Sequence, residues 1–201
     1  QTAFAAGADF VLPLDADEFL LPDGEQDMGW CREALLSVCT PAAVYQLPWV
    51  TYQTREEYHG QQFILAQESQ RESQPEELGK LLLGREAWEK TCFRLSQGNH
   101  HALLPAENGV QRLAPLPLTG VHLAHFPWRS SNQAASKAAV GWLANVAKYS
   151  RQTNLANHWR QGFYRLLAGE KTSRPLLKQG QIVRLVPACK ALQLSYTRAQ
   201  S

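Results

Sequence analysis

The residues with the clearest capacity for chemistry are Asp15, Asp17 and Glu18, which follow the apolar run Phe10-Val11-Leu12-Pro13-Leu14. A short continuous apolar run suits a strand buried on both faces, and Pro13 puts it at a sheet edge or a bulge. Ligands of open α/β sheets gather where strands end, so carboxylates at this exit are well placed for a site. For both carboxylates to reach one ion, the chain is expected to turn at Asp15. Oxygen ligands of this type suit Mg2+ or Mn2+, which retain waters and phosphate oxygens as further ligands. Asp is also common as a turn or cap residue at strand exits. The pair alone does not decide function.

The elements around this pair form an α/β pattern. Thr2 to Ala8 reads as the tail of a helix stopped near Gly7, and residues 26–39 as a helix with Cys31, Leu35 and Val38 on one stripe. Ala43 to Tyr52 is rich in Val, Tyr and Trp and reads as one strand. Thr54 to Gly84 is polar and reads as a mobile loop or an insertion. Glu89 to Leu95 sorts by period two, with Thr91, Phe93 and Leu95 on one face and Lys90, Cys92 and Arg94 on the other. Gly98-Asn99 marks a turn, and Val121 to His125 a further short strand. Ser130 and Gln133 have the spacing of a capping box, opening a helix expected to end near Tyr149. A second helix is expected from about Leu155 to Leu167, and an extended segment over Gln181 to Val186.

The 201 residues suffice for one domain with a full core, and 44% apolar with 19% charged residues excludes a disordered chain. No apolar run approaches the ~20 residues that span a bilayer. With Gln1 first and Met28 the only methionine, the chain is expected to begin inside a longer protein. Cys31, Cys39, Cys92 and Cys189 lack zinc-ligand or C-x-x-C spacing, which points to free thiols and a cytoplasmic setting. Net charge is +2, but residues 1–89 carry five Lys/Arg against sixteen Asp/Glu, and residues 90–201 carry fifteen against two. An acidic half that holds metal facing a basic half that holds phosphate would have this asymmetry. So would two mutually attractive surfaces, or a nucleic-acid module.

The segment from Ala8 to Leu20 resembles the region around the D-x-D motif of glycosyltransferase family 2, of GT-A fold, in the subgroup that reads D-x-D-E-F after an apolar run. Two later segments extend the likeness. One holds Lys90, Arg94 and Gly98-Asn99-His100, and the other reads His125-Phe126-Pro127-Trp128-Arg129-Ser130 with Gln133 and Lys137 on the following helix. The resemblance covers about residues 1–150 and leaves 151–201 as a C-terminal helix and extended tail. It implies a GT-A-type mixed sheet flanked by helices, forming a single incomplete domain. The two or three βα units that bind the nucleotide before D-x-D are missing.

The resemblance further implies metal-dependent, inverting transfer of a sugar from a nucleotide-diphosphate sugar to a saccharide or lipid-linked glycan. A lipid-linked acceptor is compatible with peripheral membrane association. Asp15 and Asp17 would hold Mn2+ or Mg2+, with His125 as third ligand or phosphate contact. Lys90, Arg94, Arg129, Ser130, Gln133 and Lys137 would contact the donor phosphates, and His100 the donor or acceptor. The general base is open among Glu18, Glu57 and Glu107, because the family's Glu-Asp and Gln-x-x-Arg-Trp motifs are absent. Trp49, Tyr52, Trp128 and Trp142 are candidates to stack on sugar rings, although mid-helix Trp142 suits core packing better.

Two rivals fare less well. A haloacid-dehalogenase-type phosphohydrolase needs late carboxylates, but no aspartate follows Asp27. No zinc, RRM-like or helix-turn-helix signature accompanies the basic half, so no nucleic acid is expected as partner. A degenerate, non-catalytic transferase-like domain is the remaining alternative.

Overall fold

The computed structural model describes residues 2–23, 35–55, 57–58, 64–107, 109–149, 157–171, 177 and 180–183. The chain is mixed α/β, with mixed sheets and few helices. A short helix α1 (Thr2–Ala5) stops at Gly7, whose φ of +91° is the left-handed conformation that ends helices. Strand β1 (Phe10–Val11) follows, then β2 (Glu18–Pro22). Only the first two residues of the apolar run are strand, at the edge of their sheet as Pro13 requires. Of the expected helix 26–39, residues 35–38 are helical and 24–34 lie outside the described residues.

The segment from Ala43 to Tyr52 is two strands, not one. β3 (Val44–Leu47) and β4 (Trp49–Thr54) are separated by Pro48, which lacks the N–H a ladder needs. Within the polar stretch Thr54 to Gly84, expected as a mobile loop or an insertion, the described residues include β5 (Ser69–Glu72) and β6 (Lys80–Gly84), so those parts are not loop. All five residues of β6 are buried. The strand expected over Glu89–Leu95 is also corrected. Arg85–Thr91 forms helix α2, closed by Cys92 at φ 50° with its N–H donated to Trp88 O. A local period of two lost to the helix-forming run Glu86-Ala87-Trp88-Glu89-Lys90, which buries Ala87 and stacks Trp88 on Phe4.

Beyond α2 come the meander β7 (Arg94–Leu95), β8 (Ala102–Ala106) and β9 (Gly109–Arg112), then β10 (Leu116–Pro117) and β11 (Val121–His125). Helices α3 (Ser131–Tyr149) and α4 (Asn157–Leu167) pack on each other, with Gly141 allowing Trp159 to approach. β12 (Gly180–Val183) pairs with β5, and Arg184 to Val186 lie outside the described residues.

One sheet has the order β1-β6-β3-β10 and another β12-β5-β4-β11-β2. They are continuous end to end. β3 runs into β4 through Pro48, and β10 runs into β11 alongside, parallel at both pairings. Backbone bonds from Leu118 N–H to Gln46 O and Leu123 N–H to Pro48 O carry the ladder across the break. The result is one bent sheet with a shared face. Tyr45, Leu47, Leu82, Val121 and Leu123 form the core on that face, with Leu12, Leu20 and Trp49 against it. The opposite face has two cores, one built on Val44, Leu81, Leu83 and Phe93, the other on Val50, Tyr52, Ala124 and Phe126.

Candidate functional site

Register decides which side chains meet. Strand residues two apart share a face, so Lys80 lies on the same face as Leu82 of the shared core, opposite Leu47 on β3. His125 pairs with Glu18 on one side and Thr51 on the other, and Leu123 with Leu20 and Trp49. Lys80, Trp49, Thr51, His125 and Glu18 therefore all stand on the shared face. The chain from β1 to β2 crosses this face from one edge to the other. Leu12 packs down on the core, and a turn closed by Glu18 N–H to Asp15 O presents the two aspartates.

Each aspartate is held by a lysine. Lys80 Nζ donates to Asp15 Oδ2 at 2.8 Å and also lies 3.1 Å from Glu18 Oε1, though out of line for a hydrogen bond. Glu18 Oε2 accepts the Asp15 N–H at 3.0 Å. Lys80 is 0% and Glu18 4% exposed, whereas the Asp15 side chain is 60% exposed. Lys137, on α3, donates to Asp17 Oδ2 at 2.7 Å, and the backbone carbonyl of Asp17 accepts Phe126 N–H. His125 Nε2 lies 3.8 Å from the same Oδ2.

The electrostatics mark these groups as one cluster. Burial pushes the His125 imidazole down to about 4, with Lys137 and Lys80 adding to the effect and Asp17 and Asp15 opposing it. At neutral pH the ring is uncharged and its lone pair is available to a cation. Burial alone would raise the Asp17 carboxyl, but the Lys137 hydrogen bond and charge, with His125 and a backbone N–H, hold it below the usual range. Among the described residues no three of His, Cys, Asp and Glu form a ready metal cage. Mg2+ and its relatives are usually held by one or two carboxylates together with substrate phosphates. Asp17 and His125, with Asp15 nearby, fit that lighter requirement.

The other expected residues are distributed more widely. His100 donates from Nδ1 to Gly79 O at 2.9 Å, and its ring lies 5.2 Å from that of Trp49, which in turn lies 4.3 Å from His125. His100 thus belongs to the site's margin through Trp49. Ser130 and Gln133 serve α3: Ser130 Oγ accepts Gln133 N–H, and Gln133 Oε1 accepts Arg129 N–H. Arg129 is half-buried, and its carbonyl accepts Tyr58 N–H. Lys90 on α2 and Arg94 on β7 are exposed and make no contact with the cluster. Glu107 is exposed at the turn of the β8–β9 hairpin, and Glu57 accepts from Ser131 at the start of α3. Trp142 and Trp128 are both buried.

Two residues at the site had no signal in the sequence reading. Lys80 is one. The other is Glu76, whose Oε1 accepts from Thr51 Oγ1 at 3.1 Å and whose N–H donates to Trp49 O, setting an exposed carboxylate against Thr51, the β4 residue that pairs with His125. Both fall in the polar stretch where a charge reads as solvated surface.

A separate relay lies on the opposite face. Tyr52 O–H donates to His122 Nε2 at 2.9 Å, and His122 Nδ1–H donates to Asp23 Oδ1 at 2.7 Å. Burial lowers the His122 pKa more than Asp23 raises it.

No helix among the described residues is long and apolar enough to cross a membrane. Comparison with protein-family models, curated proteins and solved structures finds no match for the chain.

Proposed function

We propose that this chain is the metal-binding and acceptor-side portion of a GT-A-type glycosyltransferase, taking a nucleotide-diphosphate sugar as donor. The supporting observation is the convergence of Asp17 Oδ2 and the neutral His125 Nε2 at 3.8 Å, beside Asp15 on an exposed rim. Their donor set suits Mn2+ or Mg2+, which when bound would neutralise the departing diphosphate.

Charge bookkeeping favours this reading. Asp15, Asp17 and Glu18 carry three negative charges against the two of Lys80 and Lys137. A cluster with net charge −1 repels a bare diphosphate, and a divalent cation reverses the sign.

Asp17 and His125 hold the cation, and Asp15 completes the rim under the control of Lys80. Glu18 is buried and doubly held, so in this proposal it positions Asp15 and does not act as base. Glu76, exposed and adjacent through Thr51, takes the general-base role toward the acceptor hydroxyl. Trp49 offers the aromatic surface against which a sugar ring can lie.

The deciding experiment is thermal stabilisation of the protein across a panel of nucleotide-diphosphate sugars, with and without Mn2+, followed by assay of sugar transfer. Stabilisation that needs Mn2+ and disappears in Asp17→Ala is expected. Stabilisation or transfer unchanged in Asp17→Ala would reject the proposal, and tight salt-sensitive binding to arbitrary RNA or DNA would replace it.

A further inference from the structure

The two lysines that hold the two aspartates differ in how firmly they are placed. The Lys80 side chain is 1% exposed and its ammonium is shared between Asp15 and the buried Glu18. It cannot leave without stranding a buried carboxylate. The Lys137 side chain is 41% exposed and has, among the described residues, a single carboxylate partner, Asp17. It belongs to the outer stripe of α3 that includes Val140 and Ala144. Its stem is flexible and reaches water, but Asp17 is only 10% exposed, so Lys137 can swing away at small cost only when another cation takes its place on the carboxylate.

The oxygen that Lys137 holds at 2.7 Å is the one toward which His125 Nε2 converges. An ammonium therefore already occupies the Asp17 oxygen that a cation shared with His125 would need, and its charge is felt at His125.

We propose that Lys137 is an exchangeable counter-ion: it holds Asp17 while the site is empty, yields that oxygen to a divalent cation, and turns to the diphosphate of the incoming donor. This rests on the proposed transferase reading and adds an order of events to it. Cation and diphosphate then bind cooperatively, because the first frees the ammonium that the second uses. Neutralisation of Asp17 in the empty site also spares the fold an unpaired, largely buried carboxylate. Lys80 has no such freedom and stays with Asp15 and Glu18 throughout.

The test is Mn2+ binding by the full chain, read from loss of the aquo-ion electron paramagnetic resonance signal, with and without uridine diphosphate. Wild type, Lys137→Gln and Lys137→Arg are compared after circular dichroism melting shows that each is folded. Lys137→Gln should bind Mn2+ alone roughly two- to fivefold more tightly than wild type, the range for loss of a competing ammonium whose own stem is exposed. Uridine diphosphate should tighten Mn2+ binding more in wild type than in Lys137→Gln. Lys137→Arg should match wild type with Mn2+ alone.

If wild type binds Mn2+ and Lys137→Gln binds it equally or less tightly, the exchange is overturned while the metal site stands. The same holds if Lys137→Arg binds as tightly as Lys137→Gln. If neither wild type nor either variant binds Mn2+, with or without uridine diphosphate, the metal site fails and the exchange with it.

Discussion

Lys80 on β6 and Glu18 on β2 belong to strands that never pair, yet Lys80 Nζ stands 3.1 Å from Glu18 Oε1 with both side chains buried. This contact ties the two ends of the bent sheet across their shared face. It also fixes Asp15, whose Oδ2 takes the same ammonium and whose N–H binds the same glutamate.

Removing one partner of such a pair leaves the other charge buried and alone, typically at a cost of about 3–5 kcal/mol. Lys80→Met should lose stability in that range by urea unfolding. The double variant Lys80→Met/Glu18→Gln should recover much of the loss, because no carboxylate is then stranded. A loss below about 1 kcal/mol in the single variant would mean that water reaches Glu18, contrary to its burial.

Lys90 and Arg94 provide the opposite case. Both are exposed, on α2 and β7, away from the acidic rim. Lys90→Ala and Arg94→Ala should change stability by no more than about 0.5 kcal/mol and leave Mn2+ binding as it is. A clear loss of binding in either variant would bring that residue back into the site.

Much of the framework could be read in advance where a local pattern carried the information. Gly7 ends α1, Val121–His125 is a strand, and the Ser130–Gln133 box opens a helix that ends at Tyr149. Lys80 could not be read that way. A lysine in a polar stretch looks like solvated surface unless its counter-charge is known, and Asp15 lies 65 residues away in sequence. The strand assigned to Glu89–Leu95 holds only at Arg94–Leu95, and its first part failed for a related reason. Alternation over a few residues also fits the edge of a helix, and the burial of Ala87 and Trp88 against α1 decided between them. Asp15, Asp17, His125 and Lys137 are brought together as a cluster, whereas Ser130 and Gln133 were legible as a cap and are used as one.

Acidification should weaken the fold through two histidines. His125 is pushed down to about 4 by burial, facing Asp17, Lys137, Lys80 and Asp15, and His122 is lowered by burial, facing Tyr52, Asp23 and Arg71. Above the unfolded value of 6.5 neither state binds the proton, and stability from these groups is fully present. Between 6.5 and the depressed folded values only the unfolded chain is protonated, so stability falls as pH falls, by up to about 1.4 kcal/mol per pH unit for each ring. Asp17 adds a further loss below its unfolded 3.8. Urea unfolding between pH 7.5 and 4.5 should show a smaller slope in His122→Gln and in His125→Gln than in wild type. An unchanged slope in both variants would assign the acid sensitivity to other groups.

Gly79 precedes Lys80 and meets the neighbouring backbone closely. A Cβ there would lie 2.3 Å from Leu47 O, and Gly79 O accepts the His100 ring N–H. Gly79→Ala must therefore displace β6 where Lys80 leaves it. A loss of about 1–3 kcal/mol, as for overpacked cores, should accompany weaker Mn2+ binding. Binding kept intact despite lost stability would show that the sheet edge yields without moving Lys80.

The crossing from β1 to β2 also sets how flat the sheet can be. Val11 aligns through Leu83 with Val44, and Glu18 through His125 with Thr51, four strand spacings across and seven residues further along. On a flat sheet those offsets would separate Val11 from Glu18 by roughly 30 Å. Seven residue steps reach at most about 25 Å when drawn straight, and here they include a turn. The tether is shorter than the distance it would have to span, so the sheet has to coil. An added residue between Leu12 and Asp15 would relax that coil, and a deleted one would tighten it.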